Sequence, residues 1–305
     1  MSYPNLPDHF QPAFDNRWRH RIQRENSLLG SYVTMDSVDG YRKKYDQLEK
    51  QSMRAISTRH GNTTQDEFQG YIRWLYTNKY ELTNVLDEWD DKELGALISP
   101  EGRLTENHVY AYNRRKDQEI INALEGSSYT GEDGTTLVAL PSSQIIASTY
   151  TKAGTSVSSG FIFDKVSAVK RKFRGNSLTG GMGSSIVGCI GPEEEEDLIT
   201  DVNEIRNSDF TRAPAIDAGG VFGTSWMGIT WVVGDDDLLT VGASNNIANC
   251  LFWDKKWIMF GDGQRRANMD ILPGQSHAVQ VRTRCRMGAT RLEEKAVVLV
   301  ESSRA

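Results

Sequence analysis

Residues 104–126 read LTENHVYAYNRRKDQEIINALEG, a pattern for one long helix that lacks the continuous apolar stripe of an ordinary globular helix. Thr105 is a candidate N-cap and Gly126 a candidate residue just past the C-terminus. They bracket a helix over 105–125, which at its standard rise spans about 30 Å. Val109, Tyr112, Ile120, Ile121 and Leu124 offer apolar contact, whereas Asn113, Arg114, Arg115, Lys116, Asp117, Gln118 and Glu119 offer none. A helix that is apolar at its ends and charged in its centre bridges regions. It suits a thin molecule whose neighbours cover the helix's middle.

The segments around it read as α+β. Residues 1–29 carry three prolines and then RWRHRIQR, an extended arm with too few apolar positions for a core. Residues 30–85 read as a long β-hairpin. In YIRWLYTNKYEL, Ile72, Trp74, Tyr76, Tyr80 and Leu82 alternate onto one face of a strand. Upstream, Tyr41, Lys43 and Tyr45 share a face, and the polar STRHGNTTQDE between the two stretches supplies turn chemistry. A two-stranded ribbon with so little apolar surface is unstable alone and must lie on something.

Residues 86–104 form a short helical or turn segment in which Ser99 and Pro100 could open a helix. LVALPSSQIIAS reads as strand, turn, strand. FIFDKVSAVKRKF places Phe161, Ile162, Lys165, Val166, Val169 and Phe173 at helical spacing. Residues 184–263 form a block of their own: SIVGCIG is a buried-type strand, and PEEEEDLITDVNEI is a helix with Pro192 first and glutamates over its first turn, where the helix dipole favours them. GGVFGTSWMGITWVVGDDD and CLFWDKKWIMFGDG are strand-rich and aromatic. Residues 264–305 end in HAVQVRTRCRMGATRLEEKAVVLVE, two strands around a turn.

Charge is segregated. Residues 1–60 hold ten basic and seven acidic side chains, residues 186–262 four and fourteen, and residues 263–305 eight and four. Distinct surfaces with distinct neighbours follow. The net charge of −6 names no partner. Three separated cysteines (Cys189, Cys250, Cys285) do not make a disulfide framework or a zinc spacing. The first residues have no apolar stretch of the signal-peptide kind, and no apolar run reaches the length of a membrane span.

Chemistry leaves little trace. Walker A, HExxH and GxSxG patterns are absent. GTSWMG around Ser225 matches the last only loosely, and the glycines at 180–183 lack a strand-then-helix setting. His9, His20, His60, His108 and His277 are scattered, so no metal site is expected. Asp235, Asp236 and Asp237 read as a solvated turn, and Cys189 as buried and inert. No catalytic residue, cofactor or metal is assigned.

The order of parts resembles the major capsid proteins of tailed bacteriophages, which share the Hong Kong 97-type fold. TRHGNT at 58–63, AYNRRKDQEIINALEGSSYTGEDG with Ala111, Arg114, Asp117, Ala123 and Gly126, LPSSQ at 140–144 and GATRLEEKAVV at 288–298 carry the likeness. The resemblance implies an N-arm (1–29), an E-loop hairpin (30–85), a P-domain (86–183) with spine helix 105–125, an A-domain (184–263) and return strands of the P-domain (264–305). It implies that the hairpin lies over an adjacent subunit and that the spine's centre meets neighbouring copies. The expected subunit-interface residues are then Arg59, Trp74, Tyr76, Tyr80, Arg114, Arg115 and Asp117. Arg17, Arg19, Arg21 and Arg24 would face the lumen or a neighbour.

The implied partners are copies of the chain in hexamers and pentamers, a separate scaffolding protein, a portal and non-specifically packaged double-stranded DNA. A decoration protein is optional, and a membrane is not implied. Nothing marks Lys43, Lys44 or Lys50 as a crosslinking lysine. Two other readings stay open: an encapsulin shell of the same fold, and a soluble α+β enzyme with an unrecognised site.

Overall fold

The computed structural model describes residues 23–55, 59, 67–86, 102–154, 158–176, 186–201, 226–242, 246–275 and 277–304. The elements are β1 (Thr34–Ser37), β2 (Arg42–Leu48), β3 (Gly70–Tyr76), β4 (Asn78–Leu86), α1 (Arg103–Glu125), β5 (Ser128–Thr130), β6 (Thr136–Val138), β7 (Ile145–Ile146) and α2 (Phe163–Gly175). They continue with β8 (Ile186–Ile190), α3 (Pro192–Asp201), β9 (Thr230–Val233), β10 (Ile247–Asp254), β11 (Ile258–Leu272), β12 (Ala278–Arg291) and β13 (Val297–Ser303). This is the α+β content expected. Among the described residues no helix is long and apolar enough to cross a membrane.

The chain divides into two compact units. The smaller holds the described residues up to Asn26, Glu81–Arg114 and Arg265–Arg284; the larger holds Ser27–Tyr80, Arg115–Gln264 and the chain from Cys285 onward. Three sheets are present, with strand orders β7-β13-β10-β8-β9, β2-β3-β5-β6 and β1-β11-β12-β4.

In the larger unit the five-stranded sheet carries the main core. β8 is buried at every residue, as its unbroken apolar run requires. α2 lays Val166, Val169 and Phe173 on this sheet, three- and four-residue steps along one helical face. Phe161 stacks on Phe252 at 6.1 Å between centroids, and Trp231 meets Phe252 edge-on at 5.7 Å. α3 begins at Pro192, with Glu193, Glu194 and Glu195 in its first turn.

The smaller unit is held by polar contacts. Arg282 pairs with Glu81 at 2.5 Å, the Arg265 guanidinium lies 4.8 Å above the Tyr112 ring, and His108 sits between Thr283 and Asn84.

Several expectations need correction. α1 starts at Arg103, so Thr105 lies inside it; the Gly102 carbonyl accepts the first helical bond, from Glu106 N–H. Gly126 follows the last helical residue without a left-handed φ. Glycine is needed there because a Cβ would stand 2.6 Å from the Asn122 carbonyl oxygen. The expected strand through residues 72–82 breaks at Thr77 into β3 and β4, which belong to different sheets. The alternation left the buried face unnamed: Arg73, Leu75 and Thr77 are buried, whereas Ile72, Trp74 and Tyr76 on the other face are half-buried. β12 has one tightly covered site of its own: a Cβ on Gly288 would stand 2.0 Å from the Tyr76 carbonyl oxygen.

The hairpin is also less isolated than its composition suggests. β2 pairs β3 from Arg42↔Tyr76 to Leu48↔Gly70, and β3 pairs β5 on its other edge. Residues 34–37 leave the hairpin to run parallel to β11. β11 continues through the expected boundary at 263/264. β13, grouped by sequence with the return strands, pairs β10 from Ile247↔Ser303 to Trp253↔Val297.

Candidate assembly surfaces

The charged centre of α1 is not left to solvent. Asp117 is fully buried and accepts three hydrogen bonds, from Ser27 Oγ (2.5 Å), Leu28 N–H (3.0 Å) and Leu29 N–H (3.1 Å). Tyr80 donates to Glu119 Oε1 at 2.7 Å, and Arg115 Nη2 donates to both Tyr80 Oη (2.8 Å) and Glu119 Oε1 (2.7 Å). The Arg115 guanidinium lies 4.3 Å above the Tyr80 ring. Burial, and next the Glu119 carboxylate, push the Tyr80 hydroxyl up from its ordinary value. In the smaller unit Asn113 Nδ2 donates to Glu25 O at 2.7 Å, and Arg114 Nη1 to Gln23 Oε1 at 2.8 Å. The polar middle therefore binds the chain's own residues 23–29 and 80.

Trp74 and Tyr76 have inward polar edges. Trp74 Nε1 donates to Gly131 O at 2.7 Å and the Tyr76 hydroxyl to Gly134 O at 2.9 Å. The Arg42 guanidinium lies 4.5 Å from the Trp74 ring. Their half-buried faces, with Tyr41 and Tyr129, line a groove of roughly 450 Å³. Further along the arm the surface is apolar and open: Leu48 is 76%, Met53 104%, Phe68 66% and Tyr71 50% exposed. Arg59 is exposed, and Arg24 is half-buried with partners of its own. Arg17, Arg19, Arg21, Ser99, Pro100, Ser225 and the glycines at 180–183 lie outside the described residues.

Two fully buried cations, Arg291 and Lys165, and the partly buried Arg304 tie segments of the larger unit together. Arg291 donates through Nη1 to Ala123 O (3.0 Å) and Leu124 O (2.9 Å), and through Nη2 to Val138 O (3.2 Å). It thereby satisfies two carbonyls left orphaned at the C-terminus of α1. Burial pushes its guanidinium down to about 10. Lys165 donates to Ser159 O (2.8 Å), Gly160 O (2.8 Å) and Glu301 O (3.0 Å). Arg304 binds Glu194 at 2.8 Å, Glu193 at 3.3 Å and Asp236 at 3.3 Å, so the two acidic runs of the central block converge on one arginine. Glu194 foremost raises the Arg304 guanidinium above its usual value.

Lys165 was visible in sequence as a lysine on an apolar helical face. Arg291 and Arg304 carried no signal, because their partners are backbone carbonyls or acids distant in sequence. Cys189, Cys250 and Cys285 are buried thiols. Among the described residues no cluster of three His, Cys, Asp or Glu side chains could hold a metal ion.

The chain is similar to known proteins in two ways. The family model described as phage capsid protein matches residues 6–303. Solved structures match over nearly the whole length at low identity. The cyanophage Pam1 capsid gives a TM-score of 0.71 at 13% identity, covering 99% of each chain. The capsid of cyanophage P-SCSP1u gives 0.69 at 12% identity, covering 98% of this chain and 94% of that one. The capsid of Ralstonia phage GP4 gives 0.68 at 9% identity, covering 99% of both. No curated protein sequence matches significantly.

Proposed function

This chain belongs to the phage capsid protein family, a major capsid protein of the Hong Kong 97-type fold, and from that premise we propose that its copies close into hexamers and pentamers of an icosahedral shell around double-stranded DNA. Its role is structural. It is a component of the virion, made in the cytoplasm of the bacterial host and built into a shell with a separate scaffolding protein and a portal. α1 is the spine helix, the β2–β3 arm is the E-loop, residues 1–29 are the N-arm, and β8, α3, β9 and β10 belong to the A-domain.

One observation supports this reading most. Among the described residues, the arm carries Leu48, Met53, Phe68 and Tyr71 in the open. Apolar surface concentrated on a projecting element marks a protein contact, and in a ring of identical subunits the contact is heterologous. The interface therefore centres on the exposed arm with Arg59, flanked by the half-buried faces of Trp74 and Tyr76. Tyr80, Arg114, Arg115 and Asp117 act behind it, fixing residues 23–29 and the arm's root to the spine.

The test is the triple variant Leu48→Ser, Met53→Ser and Phe68→Ser, followed by sedimentation. A folded subunit that no longer associates supports the reading. A triple variant that assembles as completely as the parent chain contradicts it.

A further inference from the structure

The exposed face of α2 carries an unbalanced positive charge. Lys170 is half-buried, Arg171 and Arg174 are exposed, and these positions fall on one side of the helix, away from Val166, Val169 and Phe173. Among the described residues none of the three forms an ion pair with an acid. Burial, and next the neighbouring Arg174, lower the Lys170 ammonium below its ordinary value, as expected where like charges crowd one helix face. The adjacent Lys172 turns away to the Ser143 and Ile145 carbonyls.

The same unit carries the reverse imbalance elsewhere. Among the described residues, Glu193, Glu194 and Asp236 share one cation, Arg304. Glu193 and Asp236 remain 55% and 65% exposed as side chains. Glu196 and Asp237 are exposed beside them in α3 and in the turn after β9. A surplus of acid therefore lines one edge, and a surplus of base lines α2, in a chain whose net charge is only −6.

A head-to-tail ring contact requires two different, complementary patches on one chain, whereas a two-fold contact requires one patch that complements itself. We propose that Lys170, Arg171 and Arg174 of α2 dock against the acidic edge formed by Glu193, Glu196, Asp236 and Asp237 of a second copy, as one of the contacts that set neighbouring subunits in register around the ring. This inference rests on the ring-assembly reading above. Charge complementarity of this kind chiefly sets orientation and association rate, and it weakens with salt.

A charge swap tests it in the full-length chain. Arg171→Glu with Arg174→Glu should reduce ring yield by about tenfold at low salt. Glu196→Lys with Asp237→Lys, which leave the Arg304 contacts in place, should do the same. The four changes combined in one chain should restore rings with reversed polarity at the contact. Each variant is first checked by circular dichroism and thermal unfolding, so that loss of rings is read only from folded protein. A four-fold variant that stays unassembled while both double variants are folded overturns the proposal. So does an Arg171→Glu, Arg174→Glu variant that assembles like the parent. If that variant forms normal shells but retains less DNA, the basic face contacts nucleic acid and the subunit contact is wrong. A parent chain that forms no rings under any condition defeats the assembly reading itself, and that failure is visible without any variant.

Discussion

Asp117, in the middle of the most polar stretch of α1, accepts the backbone N–H of Leu29 at 3.1 Å, a contact across 88 positions of sequence. With Leu28 N–H and Ser27 Oγ it makes a buried carboxylate act as the docking point for residues 27–29, whose Leu29 is itself fully buried. Asp117→Ala leaves two backbone donors and a hydroxyl without an acceptor. The expected loss is about 2–3 kcal/mol, read as a lower urea midpoint at unchanged slope. Asp117→Asn should lose less, because one carbonyl oxygen remains.

Arg291 ties the end of the spine to β6. Arg291→Met removes the donors to Ala123 O, Leu124 O and Val138 O while keeping apolar bulk. Orphaned buried carbonyls should destabilise the subunit by about 2–3 kcal/mol. Arg291→Lys should recover only part of this, since an ammonium cannot span the planar fork of acceptors. Thermal unfolding of the two variants beside the parent decides it.

Lys165 gives a pH signature. Burial lowers its ammonium from 10.5 to about 8 in the folded chain. Between these values the unfolded chain binds the extra proton, so the folded state gains stability as pH rises through about 8 toward 10.5. Relative to Lys165→Met, the parent chain should become more stable across that window, and below pH 8 the difference should level off. Parallel denaturation curves of the two proteins from pH 7 to 10 measure it.

His108 gives the opposite edge. It is buried between Thr283 Oγ1 (2.9 Å) and Asn84 Oδ1 (3.0 Å), and burial lowers its pKa from 6.5. The folded chain therefore favours neutral imidazole, and stability should fall as pH drops below 6.5. His108→Gln should flatten that fall. Hydrogen exchange of β4 and the outer halves of β11 and β12 at pH 7 and pH 5 reports it locally.

The elements that sequence reveals are those whose side chains face one environment along their length. α2 with Val166, Val169 and Phe173, β8 with its unbroken apolar run, and α3 with Pro192 and its glutamates were all legible for that reason. β3 was found as a strand, but its buried face was not named. Leu75 is buried between Arg73 and Thr77, and Arg73 hides its charge by donating to Leu292 O and to Glu294. Alternation of large apolar residues marked Trp74 and Tyr76 instead, the face turned to the 131–134 loop. That the polar centre of α1 also binds residues 27–29 of its own chain was not legible, because periodicity records hydrophobicity and not hydrogen-bond partners. Backbone donors at Leu28 and Leu29 leave no trace in residue type.

The central claim is that this chain closes on copies of itself into rings and a shell. Electron microscopy of the purified full-length protein, expressed alone and then with a candidate scaffolding protein, tests it most directly. The account predicts rings of five and six or closed polyhedral shells in at least one of the two conditions, with the β2–β3 arm overlying an adjacent subunit. A uniform monomer in both conditions would contradict it.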